Sequence, residues 1–453
     1  VDAADKTGSI LVSGSIDSMD AWVEGSLLTG LTVCALTQAV LMLIHAGEHR
    51  RFHAARARAP LPAGSSLPAR VFVPCKGCET DLEANLAALF QQDYPDYELC
   101  FVVESVDDPA VPLIERLRRE NPRIPSTLVV AGLAEGCGQK VHNLQKATAQ
   151  LPDETRVLAF VDSDARPNPS FLRRLVDRLE SGKHAIATGY RWHLPARRTV
   201  VNLLHASANN WLSTLTSSHS LNLVWGGAWA IRRETFDRLD LPWAWNGALS
   251  DDLVLSRHLR DAGLRVAYEP HCLVASPLET SWAGTFEFLR RQYLVTRVCA
   301  PVWWTWGVLA ACLSLSIPAL SLVLTGRLLQ TGGYWQVALG VGVTHYLVTA
   351  CRLGVGMSAV GGFIPRERDA ARSIEPVCRL IVWAWPVITL IHLVGLGLSS
   401  VGRTLKWRGI RYRLVGPQQT TILSRPVTAA STTGISVPAP HWQSVPAAVR
   451  GAR

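Results

Sequence analysis

The sequence predicts an α/β fold with a mostly parallel sheet, set between transmembrane helices at its amino- and carboxy-terminal ends. Three observations predict it. Strands and helices alternate from residue 70 to residue 189, the order that produces a parallel sheet covered by helices on both faces. One of these strands, 157–161, is a continuous apolar run that ends in Asp162-Ser163-Asp164, as a strand buried on both faces does. An almost wholly apolar stretch at 26–46 precedes the alternating region, and others follow it at 303–324, 334–351 and 381–399.

Composition agrees with a domain attached to a membrane. The 453 residues are 48% hydrophobic and include 16 Trp, and the mean hydropathy of +0.15 is high for a wholly soluble protein. A net charge of +9 raises nucleic acid as a partner. The basic residues are scattered or sit beside apolar runs, as juxtamembrane Arg does, and no nucleic-acid-binding motif accompanies them. The ten Cys form no paired framework. Cys75-Lys76-Gly77-Cys78 lacks the second pair a zinc site needs, so these cysteines read as small buried apolar groups.

Taken in order, residues 1–25 are an acidic segment (Asp2, Asp5, Asp17, Asp20, Glu24) without the positive region of a signal peptide. The stretch 26–46 has the roughly 20 residues a helix needs to cross the hydrocarbon core. Arg50, Arg51, Arg56 and Arg58 follow it, so the positive-inside rule places the chain beyond residue 47 in the cytoplasm. A Pro/Ser/Gly linker at 60–69 opens a catalytic domain spanning 60–300. Its predicted strands are 70–73, ending at Pro74; 97–103, ending at Glu104; 126–131; 157–161, ending at Asp162; and 185–189. Helices are predicted at 81–92, 109–120, 140–150 and 170–179. Polar or acidic residues at the ends of the first, second and fourth strands converge on one crevice. Asp162 and Asp164 there are suited to hold a divalent metal against a phosphate. Taken alone they fit a polar turn with an N-cap Asp better, since that explains most strand-end aspartates.

Residues 190–300 are less regular. Gly226 and Gly227 form a turn where backbone can approach a ligand closely, and 242–247 reads as a loop. Ser250 is an N-cap, with Asp251 and Asp252 in the first turn of a helix that runs to 262 and stops at Gly263. Trp225 and Trp229 are expected to pack, Trp243 and Trp245 to line a membrane-facing mouth, and His142 to sit on a helix surface. Residues 301–400 hold the later transmembrane or interfacial helices, and Trp303, Trp304 and Trp306 open the first with an aromatic belt. Lys406, Arg408, Arg411 and Arg413 make 401–415 a basic juxtamembrane segment. Three full crossings would leave it outside, against its charge, so one stretch is expected to be re-entrant or interfacial. Residues 416–453 are rich in Pro, Ser, Thr and Ala and are expected to be disordered.

Seven short motifs now stand in order: Pro74-Cys75-Lys76-Gly77, Asp93-Tyr94-Pro95-Asp96-Tyr97-Glu98, Asp107-Asp108-Pro109-Ala110, Lys140-Val141-His142-Asn143-Leu144, Asp162-Ser163, Asp251-Asp252 and the run from Trp407 to Leu414. Together they resemble the family 2 glycosyltransferases of GT-A type, and in particular the ceramide glucosyltransferase group, family 21, over roughly residues 70–415. There are two departures. Glu104 stands where the family carries an Asp, and no (R/Q)-x-x-R-W precedes the membrane; Arg290, Arg291 and Arg297 lie there instead.

The resemblance implies a membrane-bound inverting glycosyltransferase, its catalytic domain facing the cytoplasm, that uses a UDP-sugar and a divalent cation (Mg or Mn) to glycosylate a membrane lipid. Asp252 is then the general base with Asp251 as its neighbour, and Asp162 with Asp164 holds the metal. The nucleotide sugar would be contacted by Pro74, Lys76, Glu104, Lys140, Asn143, Asp162, Gly226, Gly227, Arg290 and Arg291. The alternatives are a processive polysaccharide synthase, disfavoured by the missing Q-x-x-R-W and too few spans, and a catalytically dead scaffold, disfavoured by retention of Asp162, Asp164 and Asp252.

Overall fold

The computed structural model describes residues 4–63, 67–79, 81–180, 182–217, 222–364 and 371–426. The chain begins with a 55-residue helix, α1 (Ala4–Arg58), far longer than the apolar stretch that nucleates it. The alternating region follows as β1 (Ala69–Pro74), α2 (Leu82–Leu89), β2 (Tyr97–Val103), α3 (Val111–Glu120), β3 (Ser126–Val130), α4 (Gln139–Thr148), β4 (Val157–Val161), α5 (Phe171–Glu180) and β5 (Ile186–Pro195). Every element predicted between 70 and 189 is present, with ends shifted by a few residues.

The region expected to be less regular is structured. It contains α6 (Val200–Trp211), β6 (Ala228–Arg232), α7 (Arg233–Arg238), α8 (Leu241–Ala244), α9 (Asp251–Asp261), β7 (Val266–Leu278) and α10 (Trp282–Cys299). The seven-stranded sheet has the order β3-β2-β1-β4-β6-β5-β7. Neighbours are parallel except at β6, which runs antiparallel to both β4 and β5. Strand order reverses between β1 and β4, so their carboxyl ends splay apart and leave a crevice. Beneath it Phe160 stacks on Trp229 with ring centroids 3.9 Å apart and on Phe72 at 5.1 Å. Trp229 and Trp245 are fully buried in this core, which corrects the placement of Trp245 at a membrane-facing mouth. The segment 242–247 begins as the short helix α8 and not as a loop throughout.

Two long apolar helices, α11 (Pro301–Thr331) and α12 (Trp335–Gly361), follow, then α13 (Ala371–Trp383) and α14 (Trp385–Ser400). Among the described residues three helices are long and apolar enough to cross a membrane: the Trp22–Arg58 part of α1, α11 and α12. The axes of α13 and α14 meet at 86°, the geometry of a broken span or a re-entrant pair. Arg327 on α11 pairs at 2.6 Å with Glu24 on α1, tying these two helices together.

The basic segment does not trail from the last helix. It folds as β8 (Thr404–Trp407), β9 (Ile410–Gly416) and β10 (Gln419–Ser424), an antiparallel meander. Alternation explains it: Ile410, Tyr412 and Leu414 are buried while Arg411, Arg413 and Val415 face outward. The onset of disorder expected at 416 is therefore displaced past β10; residues 427–453 lie outside the described residues, as do 64–66 of the linker and the first three residues of the acidic segment.

Candidate active site

The floor of the crevice is built at the end of β4. The N–H of Asp162 donates to the carbonyl of Gly227 at 3.0 Å, so the strand end and the glycine turn are stitched together. Lys140, in the first turn of α4, reaches across and places Nζ 2.8 Å from Asp162 Oδ1 and 3.1 Å from Asp251 Oδ1, and donates to the Gly226 carbonyl at 3.0 Å. Burial works against its charge, but Asp162, Asp251 and Asp252 outweigh burial and hold the ammonium well above its usual pKa.

The acidic pair opens α9. Ser250 caps the helix, accepting from Leu253 N–H at 3.2 Å. Asp252 is held by three donors: Oδ2 accepts from Gly226 N–H at 2.9 Å, and Oδ1 from Leu253 N–H at 2.7 Å and from the Ser250 hydroxyl. Gly226 is thus bound through its N–H by Asp252 and through its carbonyl by Lys140. A Cβ at Gly226 would come within 2.9 Å of Asp252 Oδ2, and one at Gly227 within 2.4 Å of the Trp225 ring and 2.9 Å of Asp162 Oδ2. Asp251 is only 2% exposed and its Oδ2 has no partner. Burial pushes its pKa up to about 7, with Lys140 opposing and Asp252 and Asp162 adding.

Asp164 is engaged differently. Arg191, on the extended half of β5, forms an ion pair with its Oδ2. Against the effect of burial, this holds the carboxyl below its usual range. Asp164 Oδ1 is buried without a partner. Among the described residues no three His, Cys, Asp or Glu side chains cluster as a metal site would require. The chain nonetheless fits a hard cation: Asp162 and Asp164 face one cavity, Asp164 retains an unused oxygen, and Mg²⁺ commonly takes one or two protein carboxylates and completes its shell with phosphate and water.

These residues line one cavity of about 620 Å³. Its polar lining includes Pro74, Lys76, Lys140, Asn143, Asp162, Asp164, Gly226, Gly227, Asp251, Asp252 and Arg291, all but Arg291 supplied by the sheet's crevice-side loops and the helices that follow them. Its other wall is made by Ala208 on α6, Leu212 just after that helix, Phe288, Leu289 and Tyr293 on α10, and His392 on α14. Glu104 stands behind Lys76 and accepts from its ammonium with both oxygens at 2.8 Å.

Arg290 and Arg291 do not act as one cluster. Arg290 turns away and donates to the carbonyls of Thr404 at 2.7 Å and Val401 at 3.2 Å, holding the carboxy-terminal strands. Arg297 likewise donates to the carbonyls of Ser400 and Gly402. Arg291 alone of the three faces the cavity. Burial and the nearby Arg191 lower its pKa, and its guanidinium lies 5.6 Å from the Trp407 ring centre. Trp225 packs against the sheet's core, as expected, and also lines the cavity, whereas exposed Trp243 stands outside the lining. His142 is half-buried, with Nε2 3.0 Å from the Ala131 carbonyl. Cys75 is buried and its thiol pushed up in pKa, as an inert cysteine is. Arg191, Arg408 and Tyr412 line the cavity without having been singled out as site residues; a charged residue interrupting an apolar strand was the available signal for Arg191.

Comparison with known proteins places this arrangement. A ceramide glucosyltransferase of Komagataella phaffii is 30% identical over 110 residues, 23% of this chain and 21% of that protein. Ceramide glucosyltransferase 3 of Caenorhabditis elegans is 32% identical over 84 residues, 18% of each, and ceramide glucosyltransferase 1 is 28% identical over 130 residues, 28% of this chain and 27% of that protein. The chain therefore matches only about a fifth to a quarter of the length of these relatives. Among solved structures, a mannosyltransferase from Pyrobaculum calidifontis in complex with GDP-Man and Mn2+ aligns with a TM-score of 0.42 at 15% identity, over 82% of this chain and 99% of that one. A glucosyl-3-phosphoglycerate synthase from Mycobacterium tuberculosis aligns at 0.34 and 17%, over 54% and 81%. At that distance neither likeness bears on chemistry. The sequence profile of glycosyl transferase family 21 matches from residue 30 to residue 419, nearly the whole described chain, and the chain belongs to that family.

Proposed function

We propose that this chain is a membrane-bound inverting glycosyltransferase that moves a sugar from a UDP-sugar to the hydroxyl of a membrane lipid. One observation carries the reading: a single cavity joins the charged end of the sheet crevice to a wall made by α6, α10 and α14, beside the apolar helices. A nucleotide sugar suits the first end and a lipid headgroup the second. The uridine base rests on the family resemblance, with Pro74, Lys76, Asn143, Gly226 and Gly227 as its nearest walls.

Transfer needs a base, charge neutralisation at the leaving diphosphate and exclusion of water. Asp252 is the base. It is the half-buried member of the pair and faces the cavity, and three donors fix its orientation. It takes the acceptor's hydroxyl proton while the acceptor oxygen attacks the anomeric carbon from the face opposite the diphosphate. The anomeric C–O bond breaks, its electron pair leaves with UDP, and one displacement inverts the centre. Asp251 is buried beside Lys140 and positions that ammonium. Lys140 in turn holds Asp162 and the Gly226 carbonyl in place. Arg291, which faces the cavity without a carboxylate partner among the described residues, offers its charge to the diphosphate. Magnesium or manganese, when held by Asp162 and Asp164, would supply Lewis-acid neutralisation of the same group.

Two observations support an orientation with the sheet domain in the cytoplasm. Arg50, Arg51, Arg56 and Arg58 follow the first apolar stretch, as the positive-inside bias favours for a cytoplasmic side. The strands after α14 pack on that domain, so an even number of crossings separates the two, with α11 and α12 crossing and the bent α13–α14 pair returning to the same side. Membranes containing the chain, incubated with labelled UDP-glucose or UDP-N-acetylglucosamine, are expected to yield a labelled lipid. Labelled polymer would point to a polysaccharide synthase, and no consumption of any nucleotide sugar would overturn the reading.

A further inference from the structure

The meander β8–β10 is built into the sheet domain. Leu405, Ile410, Tyr412 and Leu414 are buried in the same core as Trp245 and Leu249. The Tyr412 hydroxyl accepts from Gln139 N–H at 3.3 Å, and Arg425 donates to Gln139 Oε1 at 2.9 Å. The turn between β8 and β9 overhangs the cavity, and Trp407, Arg408 and Tyr412 line it.

Arg408 sits in this turn at φ 50, followed by Gly409 at φ 81. Successive positive φ values make the tight hairpin turn that matches strand twist, but its first position is normally Asn, Asp or Gly. An arginine there runs against local preference. Its guanidinium pairs with Glu79, in the loop after β1, and lies 3.8 Å from Asp164 Oδ2. The Arg408 and Glu79 side chains are 37% and 48% exposed. Ion pairs that open to solvent contribute little and exchange readily. Trp407, just before the turn, lies under the guanidinium of Arg291 from α10, so Arg408 of the hairpin and Arg291 both stand in the cavity lining.

We propose that Arg408 is a ligand of the donor's diphosphate: the β8–β9 turn is a strap whose guanidinium rests on Glu79 and Asp164 and passes to the phosphates when nucleotide binds. The inference rests on the nucleotide-sugar reading above. It gives the carboxy-terminal strands a direct part in donor capture, and it accounts for an arginine at a turn position that disfavours it. Arginine is the apt residue because its planar fork meets phosphate oxygens with two donors.

The competing account is that Arg408 and Glu79 form a structural latch. The two differ in sign. Affinities of the full-length protein in detergent are measured for UDP and for uridine, which lacks the phosphates, with thermal melting as a check on folding. Arg408→Ala is expected to weaken UDP about ten- to a hundredfold and to leave uridine within about twofold. Glu79→Gln releases the guanidinium and is expected to bind UDP as tightly as wild type or more tightly. UDP affinity unchanged in Arg408→Ala, or weakened in Glu79→Gln, overturns the proposal. If Arg408→Ala fails to fold, Arg408→Lys and Glu79→Gln decide: the lysine variant should lose UDP affinity while keeping its affinity for uridine, and equal UDP affinity counts against the proposal. Wild type that binds neither UDP nor GDP overturns the nucleotide-sugar reading itself, whereas wild-type binding of UDP matched by Arg408→Ala overturns this inference alone.

Discussion

Lys140 is surrounded by more negative charge than it neutralises, and this imbalance sets the behaviour of the floor. Asp162 and Asp251 touch it directly, and Asp252 adds to the field. Removing the ammonium leaves a buried carboxylate uncompensated, so Lys140→Met should lower unfolding stability by ~3 kcal/mol, measurable by denaturant titration. Asp251 makes a second prediction. Its folded pKa is raised to about 7, above the ordinary carboxylate value near 4, so the folded state holds a proton that the unfolded chain has lost. Its contribution to stability is complete below about pH 4 and lost as the pH rises to about 7. Asp251→Asn cannot ionise, so its melting temperature relative to wild type should climb between pH 5 and pH 8. A difference that stays flat across that range would contradict the assignment. The carboxylates and Lys140 were legible in the sequence because each stands at a strand end or helix start, where the crevice of a parallel sheet lies.

At the scale of elements, the joint between the carboxy-terminal meander and the sheet domain is narrow enough to test with one methyl group. Gly247 has φ 71, and a Cβ there would lie 2.0 Å from the Gln418 carbonyl oxygen. Gln418 also donates to the Ala244 carbonyl at 2.8 Å. Gly247→Ala should therefore cost about 1–3 kcal/mol and loosen β8–β10, seen as faster proteolysis between 404 and 424 and as weaker donor binding. β9 obeys a strict two-residue alternation, but Arg411 and Arg413 take outward positions on it, and the charge directed attention to the membrane surface. β6 was hidden for another reason. It follows Gly226 and Gly227 directly, has five residues, and runs antiparallel inside an otherwise parallel sheet, so no strand–helix alternation announces it. Arg191 and Arg408 reach the site across 27 residues from Asp164 and 329 from Glu79. Pairings of that range leave no local pattern.

At the scale of the whole molecule, the sequence posed a conflict: three crossings after a cytoplasmic domain would put a basic tail outside. The proposed topology removes the conflict by taking the pair α13–α14, bent by 86°, as re-entrant, in keeping with the packing of β8–β10 on the sheet domain. Single cysteines introduced at Gly332, between α11 and α12, and at Arg411, on β9, should react with a membrane-impermeant reagent from opposite sides of sealed vesicles. Arg411 should share its side with Glu115 on α3. Labelling of both introduced cysteines from one side would contradict the topology.

The most direct test of the central claim, that Asp252 deprotonates a lipid hydroxyl for attack on a nucleotide sugar in this cavity, is the turnover of Asp252→Asn. Protein in lipid nanodiscs is given labelled UDP-sugar, and labelled lipid is counted alongside UDP affinity. The account predicts a loss of turnover of about 10²–10⁴-fold with UDP affinity within a few-fold of wild type. Turnover close to wild type in Asp252→Asn, with the protein folded and UDP bound, would contradict it.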